Sequence, residues 1–213
     1  MKILAGSQTN APKRLPKPAV PKKPNPLPPD PRDTLISGAM LGVGGWMAGT
    51  AYPTTYLHEL GHKVAVNALY QNANPTISVT PFKGGATTWS PGGGLSPLGQ
   101  KLGHSASRSV VAMAGTAMDA LSSVALFAAG YKLKKSNPVL GTSMMCFSAM
   151  NMLNSTSYAA SGIGKAVASK PGHDFLTLQA MTGLPCWASA VIVASILPAT
   201  YLIMRSLDKD PAK

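Results

Sequence analysis

Long stretches without a charged residue run through the chain from residue 35 onwards. LPCWASAVIVASILPATYLIM (184–204) and PVLGTSMMCFSAMNMLNSTSYAASGIG (138–164) carry no charge, and residues 110–131 are interrupted only by Asp119. At 1.5 Å per helical residue, each stretch is long enough to cross about 30 Å of hydrocarbon. The many small residues in them would let such helices pack closely in lipid. These stretches therefore predict membrane-spanning helices.

Two further apolar pieces precede these stretches. Residues 35–52 carry no charge. Pro53 interrupts this run, and a second, mainly apolar piece follows at residues 54–70. The two pieces are either separate crossings, or the first is a re-entrant or kinked extension of the second, because glycine and proline are tolerated in membrane helices. The predicted fold is an all-α polytopic membrane protein, a bundle of about four to five transmembrane helices. The alternative is that these stretches are interior helices of a soluble protein, because such helices can also be rich in alanine and glycine.

The composition favours the membrane interpretation. Charged residues make up only 12 % of the chain, against about 25 % in ordinary soluble domains. The net charge is +12, and seven of the nineteen basic residues precede residue 34. A polybasic stretch beside a membrane segment favours the anionic cytoplasmic face, so we expect a cytoplasmic amino-terminal tail. Basic and aromatic residues do not alternate as they do in base-stacking surfaces, and nucleic-acid binding is not expected.

The chain divides into three parts by composition. Residues 1–33 form a proline- and lysine-rich tail that we expect to be disordered or extended as polyproline II, and which could bind a protein partner. Residues 34–206 form the predicted membrane-embedded domain, and residues 207–213 form a polar carboxyl-terminal tail. Within the domain, ISVTPF (77–82) and ATTWS (86–90) flank a Lys-Gly-Gly turn and predict a small β-hairpin, followed by a glycine-rich loop.

HELGH, residues 58–62, contains the only glutamate of the chain. On a helix, positions i and i+4 lie one above the other, so His58 and His62 point the same way and can bind one metal ion. Glu59 lies about 100° around the helix and is placed to hydrogen-bond a water at that ion. Zinc held by three protein ligands keeps a position open for water and polarises a substrate carbonyl. The motif therefore predicts a zinc site with Glu59 beside its bound water.

The third zinc ligand has few candidates outside the two tails. They are Asp119, Asp174, His104 and His173. Asp174 is the first choice, because it lies at the mouth of the last apolar region, where a carboxylate could reach inward without being stranded in lipid. His173 is adjacent and could replace it or support it from outside the ligand set. Asp119 lies mid-span, where a hydrogen bond between helices is its expected role.

HELGH in an apolar helix is followed by TPFKGGATTW, then AGTAMDA, then NMLN and a later aspartate. This order over residues 54–180 resembles the site-2 protease family of intramembrane zinc metalloproteases. The resemblance implies that His58, His62 and Asp174 bind Zn²⁺, that Glu59 is the general base, and that Asn151 binds substrate or stabilises the oxyanion. Asn151 and Asn154 could instead form hydrogen bonds between helices.

The expected function is hydrolysis of peptide bonds in membrane proteins or membrane-proximal segments by water activated at zinc. Two alternatives remain. A catalytically silent membrane scaffold or binding protein would share the fold and not need Glu59 as a base. A soluble zincin-type peptidase would keep HELGH without entering the bilayer.

Overall fold

The computed structural model describes residues 30–90, 92–166 and 172–209. This part of the chain is mostly helical and contains one two-stranded antiparallel sheet, as predicted. Its elements in chain order are α1 (Pro31–Thr50), α2 (Pro53–Leu69), β1 (Thr76–Thr80), β2 (Gly84–Thr88), α3 (Pro97–Leu102), α4 (His104–Leu133), α5 (Pro138–Ala160), α6 (Asp174–Thr182) and α7 (Cys186–Lys209).

The first helix begins inside the predicted amino-terminal tail. The Asp30 side chain accepts a hydrogen bond of 2.7 Å from the backbone N–H of Arg32, and Pro31 occupies the first helical position. Both are strong start signals for a helix, so residues 31–33 belong to α1 rather than to the tail. Residues 1–29 of that tail, with most of its prolines, lie outside the described residues, as do residues 210–213 of the carboxyl-terminal tail.

Two of the described helices, α4 and α7, are long and apolar enough to cross a membrane. This is fewer than the four to five predicted. The difference has a compositional cause, because α1 is rich in glycine, α5 is rich in serine, threonine and asparagine, and α2 has only 17 residues and carries charged groups. Large apolar side chains nevertheless lie on the surface of α1 and α7, including Met40, Leu41, Val191 and Ile192.

Helix α4 lies at the centre of the fold and packs against α2, α5, α6 and α7, while α5 also packs against α1. Small residues allow the closest of these contacts. A methyl group on Gly42 of α1 would lie 2.5 Å from the backbone oxygen of Ser143 in α5. A methyl group on Gly61, the glycine of HELGH, would overlap the backbone oxygen of Ala114 in α4. The motif helix therefore lies directly on α4, backbone against backbone.

The predicted hairpin is present, and its register determines which residues face the motif helix. Ile77 pairs with Thr87, and Val79 pairs with Gly85. Side chains alternate between the two faces of a strand, so these four residues share one face. Thr87 is the half-buried residue of β2, and the sheet packs against α2. The hairpin therefore covers part of α2 where HELGH lies.

Candidate metal centre

The two histidines of HELGH lie side by side on α2, as their spacing predicts. Their Nε2 atoms are 3.1 Å apart. The Nδ1 atom of His62 lies 2.6 Å from the backbone oxygen of Val111, and the Nδ1 atom of His58 lies 2.8 Å from Oδ2 of Asp119. Because both partners are acceptors, each Nδ1 must carry a proton, and the Nε2 atoms of the two rings are the ones that face each other.

Asp174 completes this group from the first turn of α6. Its Oδ2 lies 3.4 Å from Nε2 of His58 and 3.3 Å from Nε2 of His62. A tetrahedral ion with bonds of roughly 2.0–2.1 Å separates its ligand atoms by about 3.3 Å. The three donor atoms therefore form a triangle of the size that such an ion requires, and His58, His62 and Asp174 could hold a metal ion.

Asp174 is held in place by neighbouring residues. Its backbone N–H donates a 3.1 Å hydrogen bond to the hydroxyl of Tyr158 in α5. Burial alone would raise the pKa of the Asp174 carboxyl, but hydrogen bonds with His58 and His62 outweigh burial and hold that pKa below its ordinary value. The carboxyl is therefore ionised near neutral pH, the form that coordinates a metal.

The two histidines that were candidates for the third ligand lie apart from this triangle. His173 stacks on the ring of Tyr158 with ring centroids 4.4 Å apart. Its side chain caps α6 by accepting from the N–H of Leu176, and its Nε2 lies 3.0 Å from the hydroxyl of Ser161. His104 is exposed at the start of α4. Neither belongs to the group of possible ligands found among the described residues.

Asp119 links three helices at the back of the site. Besides His58 of α2, its Oδ2 accepts a 3.1 Å hydrogen bond from the hydroxyl of Ser155 in α5. Only 7 % of Asp119 is exposed. The predicted hydrogen bond between helices is thus present, and one of its partners is a candidate metal ligand. A carboxylate in this position fixes the tautomer and the ring orientation of a ligating histidine.

Gly115 of α4 leaves the space that the metal triangle needs. A methyl group built on Gly115 would overlap the Nε2 atom of His62 and lie 2.5 Å from the Nε2 atom of His58. Any side chain there would enter the region between the two imidazoles. The AGT segment noted in the sequence therefore contains a residue whose lack of a side chain shapes the site, although the sequence alone did not single it out.

Glu59 lies next to the triangle and is only 6 % exposed. The hydroxyl of Thr87 in β2 lies 2.7 Å from Oε2 of Glu59 and 2.9 Å from its backbone oxygen. Sequence reasoning missed Thr87, because a threonine in a hairpin carries no motif. The one sequence signal for this contact was the alternation of side chains along a strand, which puts Thr87 on the same face as Gly85.

A cavity of about 970 Å³ contains the triangle and Glu59. Its wall combines α2, the hairpin, α4, α5 and α6, and includes Lys83 and Arg108. Asn151 and Asn154 line it as well. The side-chain amide of Asn151 donates a 3.0 Å hydrogen bond to the hydroxyl of Ser123 in α4. Asn151 thus makes a hydrogen bond between helices and also lies in the cavity wall.

No protein-family model, curated protein or solved structure matches the chain.

Proposed function

We propose that the chain is an intramembrane zinc metalloprotease that hydrolyses peptide bonds of membrane proteins or membrane-proximal segments. The observation that carries the proposal is the triangle of His58, His62 and Asp174, 3.1–3.4 Å on each side, with Glu59 in the same cavity. Two imidazoles and one carboxylate are a ligand set of catalytic zinc, which leaves a coordination position open.

The three ligands would hold Zn²⁺. Zinc, when bound, would act as a Lewis acid that activates a water and polarises the scissile carbonyl. Glu59 takes a proton from the attacking water and later delivers it to the leaving amine nitrogen. Asn151, in the cavity wall, is the proposed donor to substrate or to the developing oxyanion.

A substrate must be extended to be cut, because a helix hides its backbone carbonyls in its own hydrogen bonds. The two-stranded sheet at the cavity has an edge on each side that pairs with no further strand among the described residues. An extended segment could add to such an edge through backbone hydrogen bonds. Unchanged cleavage after deletion of residues 76–88 would exclude this part of the proposal.

We place the chain in the bilayer, with α1, α2 and α5 accompanying α4 and α7. The large apolar side chains exposed on α1 and α7 support this placement, because soluble proteins rarely expose broad apolar surfaces. The triangle is then held by helices surrounded by lipid. The amino-terminal tail would lie on the cytoplasmic side because of its lysines and arginines.

The decisive experiment compares detergent-purified wild type with Glu59→Gln. Fluorescent β-casein, a disordered chain with accessible carbonyls, and single-span membrane peptides serve as test substrates. We expect zinc to be retained and cleavage to be abolished in the variant, because the amide cannot accept the proton. Asp208→Asn is the control, since Asp208 forms an ion pair with Lys135 at the end of α7 and takes no part in the site. If the chain is a catalytically silent scaffold, wild type, Glu59→Gln and Asp208→Asn will all fail to cleave the test substrates.

A further inference from the structure

The hairpin reaches the proposed catalytic base as well as the cavity. Its inner face carries Gly85 and Thr87, two residues apart on β2, and both lie against Glu59. Since side chains alternate along a strand, the register of the hairpin brings these two residues to the glutamate together. The pairing of Ile77 with Thr87 and of Val79 with Gly85 maintains that register.

The contact between Thr87 and Glu59 is short and partly buried. The threonine hydroxyl has one proton to donate, and a carboxylate oxygen at 2.7 Å is its stronger acceptor. The backbone oxygen of Glu59 lies 2.9 Å from the same hydroxyl and can only share that one proton. A hydroxyl held between these two oxygens limits the rotation of the glutamate side chain. A freely rotating glutamate would have to be reoriented in each turnover.

Gly85 makes this approach possible. A methyl group there would lie 2.7 Å from Cγ and 2.9 Å from Oε1 of Glu59. It would also lie 2.9 Å from Cγ2 of Thr55 on the same helix. Such separations are too short for carbon atoms, whose optimal distance is about 3.5–4.0 Å. A larger residue at position 85 would therefore displace either β2 or the Glu59 side chain, and both movements disturb the Thr87 contact.

We infer that Thr87 is a positioning residue that holds the Glu59 carboxylate in its working orientation, with Gly85 providing the space for the contact. The inference rests on the proposed function. Its consequence is that the hairpin, besides offering an edge to an extended chain, sets the geometry of the proton acceptor. A change in the hairpin's position is then transmitted to Glu59 through one hydroxyl group.

The test uses the full chain in detergent and three single variants. Thr87→Val removes the hydroxyl and keeps the shape, Thr87→Ser restores the hydroxyl, and Thr200→Val is the matched control. Thr200 lies on α7, and its hydroxyl donates to the backbone oxygen of Ile196 within the same helix. Zinc content and melting temperature are measured for each protein alongside the kinetics of β-casein cleavage.

We expect Thr87→Val to bind zinc and melt like wild type while kcat falls roughly tenfold with little change in KM, as for loss of a hydrogen bond to a charged group. Thr87→Ser should recover most of the rate, and Thr200→Val should behave as wild type. Normal kcat in Thr87→Val, or loss of kcat in Thr87→Ser equal to that in Thr87→Val, would overturn the inference while leaving the proposed function intact.

Two further outcomes distinguish failure of the Thr87 inference from failure of the proposed function. Wild type without zinc-dependent cleavage of any test substrate would overturn the proposed function and the positioning role with it. Should Thr87→Val fail to fold, Gly85→Ala provides the second variant, for which we expect retained zinc and a reduced kcat. Full activity of Gly85→Ala, with a methyl group in contact with Glu59, would contradict the inference.

Discussion

The imidazole of His58 and the carboxylate of Asp119 are joined by a 2.8 Å contact between Nδ1 and Oδ2. The contact places the ring proton on Nδ1 and leaves Nε2 free to face His62 and Asp174. Asp119 is itself tied to α5 through Ser155. The orientation of a candidate ligand on α2 is therefore determined by two other helices.

Asp119→Asn should weaken metal binding about 10- to 100-fold, because an amide oxygen is a poorer acceptor for the Nδ1 proton and no longer supplies charge. Competition with a fluorescent zinc chelator measures the affinity. Ser155→Ala is the control, since it removes the other partner of Asp119 and leaves the His58 contact in place. Equal zinc affinity in wild type and Asp119→Asn would show that this carboxylate does not support the site.

Gly115→Ala should abolish stoichiometric zinc binding, because the added methyl group would overlap Nε2 of His62 and crowd Nε2 of His58. Gly44→Ala is the matched control, since a methyl group on Gly44 of α1 would have no heavy atom within 4 Å. Metal analysis of both purified proteins distinguishes them. A fully loaded Gly115→Ala variant would place the ion elsewhere.

Asp174→Ala and His173→Ala should behave differently, although the two residues are neighbours in sequence. The first change removes a ligand and should lose zinc, whereas the second removes the cap of α6 and should lower the melting temperature while zinc is retained. Isothermal titration with zinc and thermal unfolding in detergent measure the two effects. Zinc loss in His173→Ala with zinc retained in Asp174→Ala would reverse the assignment of the third ligand.

The spacing of HELGH predicted the meeting of His58 and His62, because helix periodicity is local and needs no knowledge of the rest of the fold. Asp174 was predicted from the short inventory of carboxylates and from its place beside an apolar segment. The role of Asp119 between helices followed from its position in the middle of a span.

The contacts of Thr87 and Gly115 could not be predicted in the same way. They depend on how the hairpin packs on α2 and how closely α4 approaches the histidines, which are properties of tertiary packing. Charge-free length alone also predicted more membrane helices than the two, α4 and α7, that are long and apolar enough to cross a membrane among the described residues. A helix such as α5 lacks charge but is rich in serine, threonine and asparagine, and it is not among the helices apolar enough to cross a membrane.

The proposed membrane integration gives a prediction of its own. Cell membranes washed with alkaline carbonate should retain the full chain, and detergent should release it, because the apolar faces of α1 and α7 have large exposed side chains. Western blotting of the two fractions is sufficient, with a peripheral membrane protein as the control for the wash. Recovery of the chain in the aqueous fraction before any detergent is added would favour a soluble peptidase.

Metal analysis of the detergent-purified chain tests the central claim most directly, with His58→Ala, His62→Ala and Asp174→Ala prepared in parallel. The proposed site predicts one zinc ion per wild-type chain and loss of that ion in each of the three variants. A wild-type protein that binds no divalent ion at stoichiometric occupancy, or three variants that retain it, would contradict the claim.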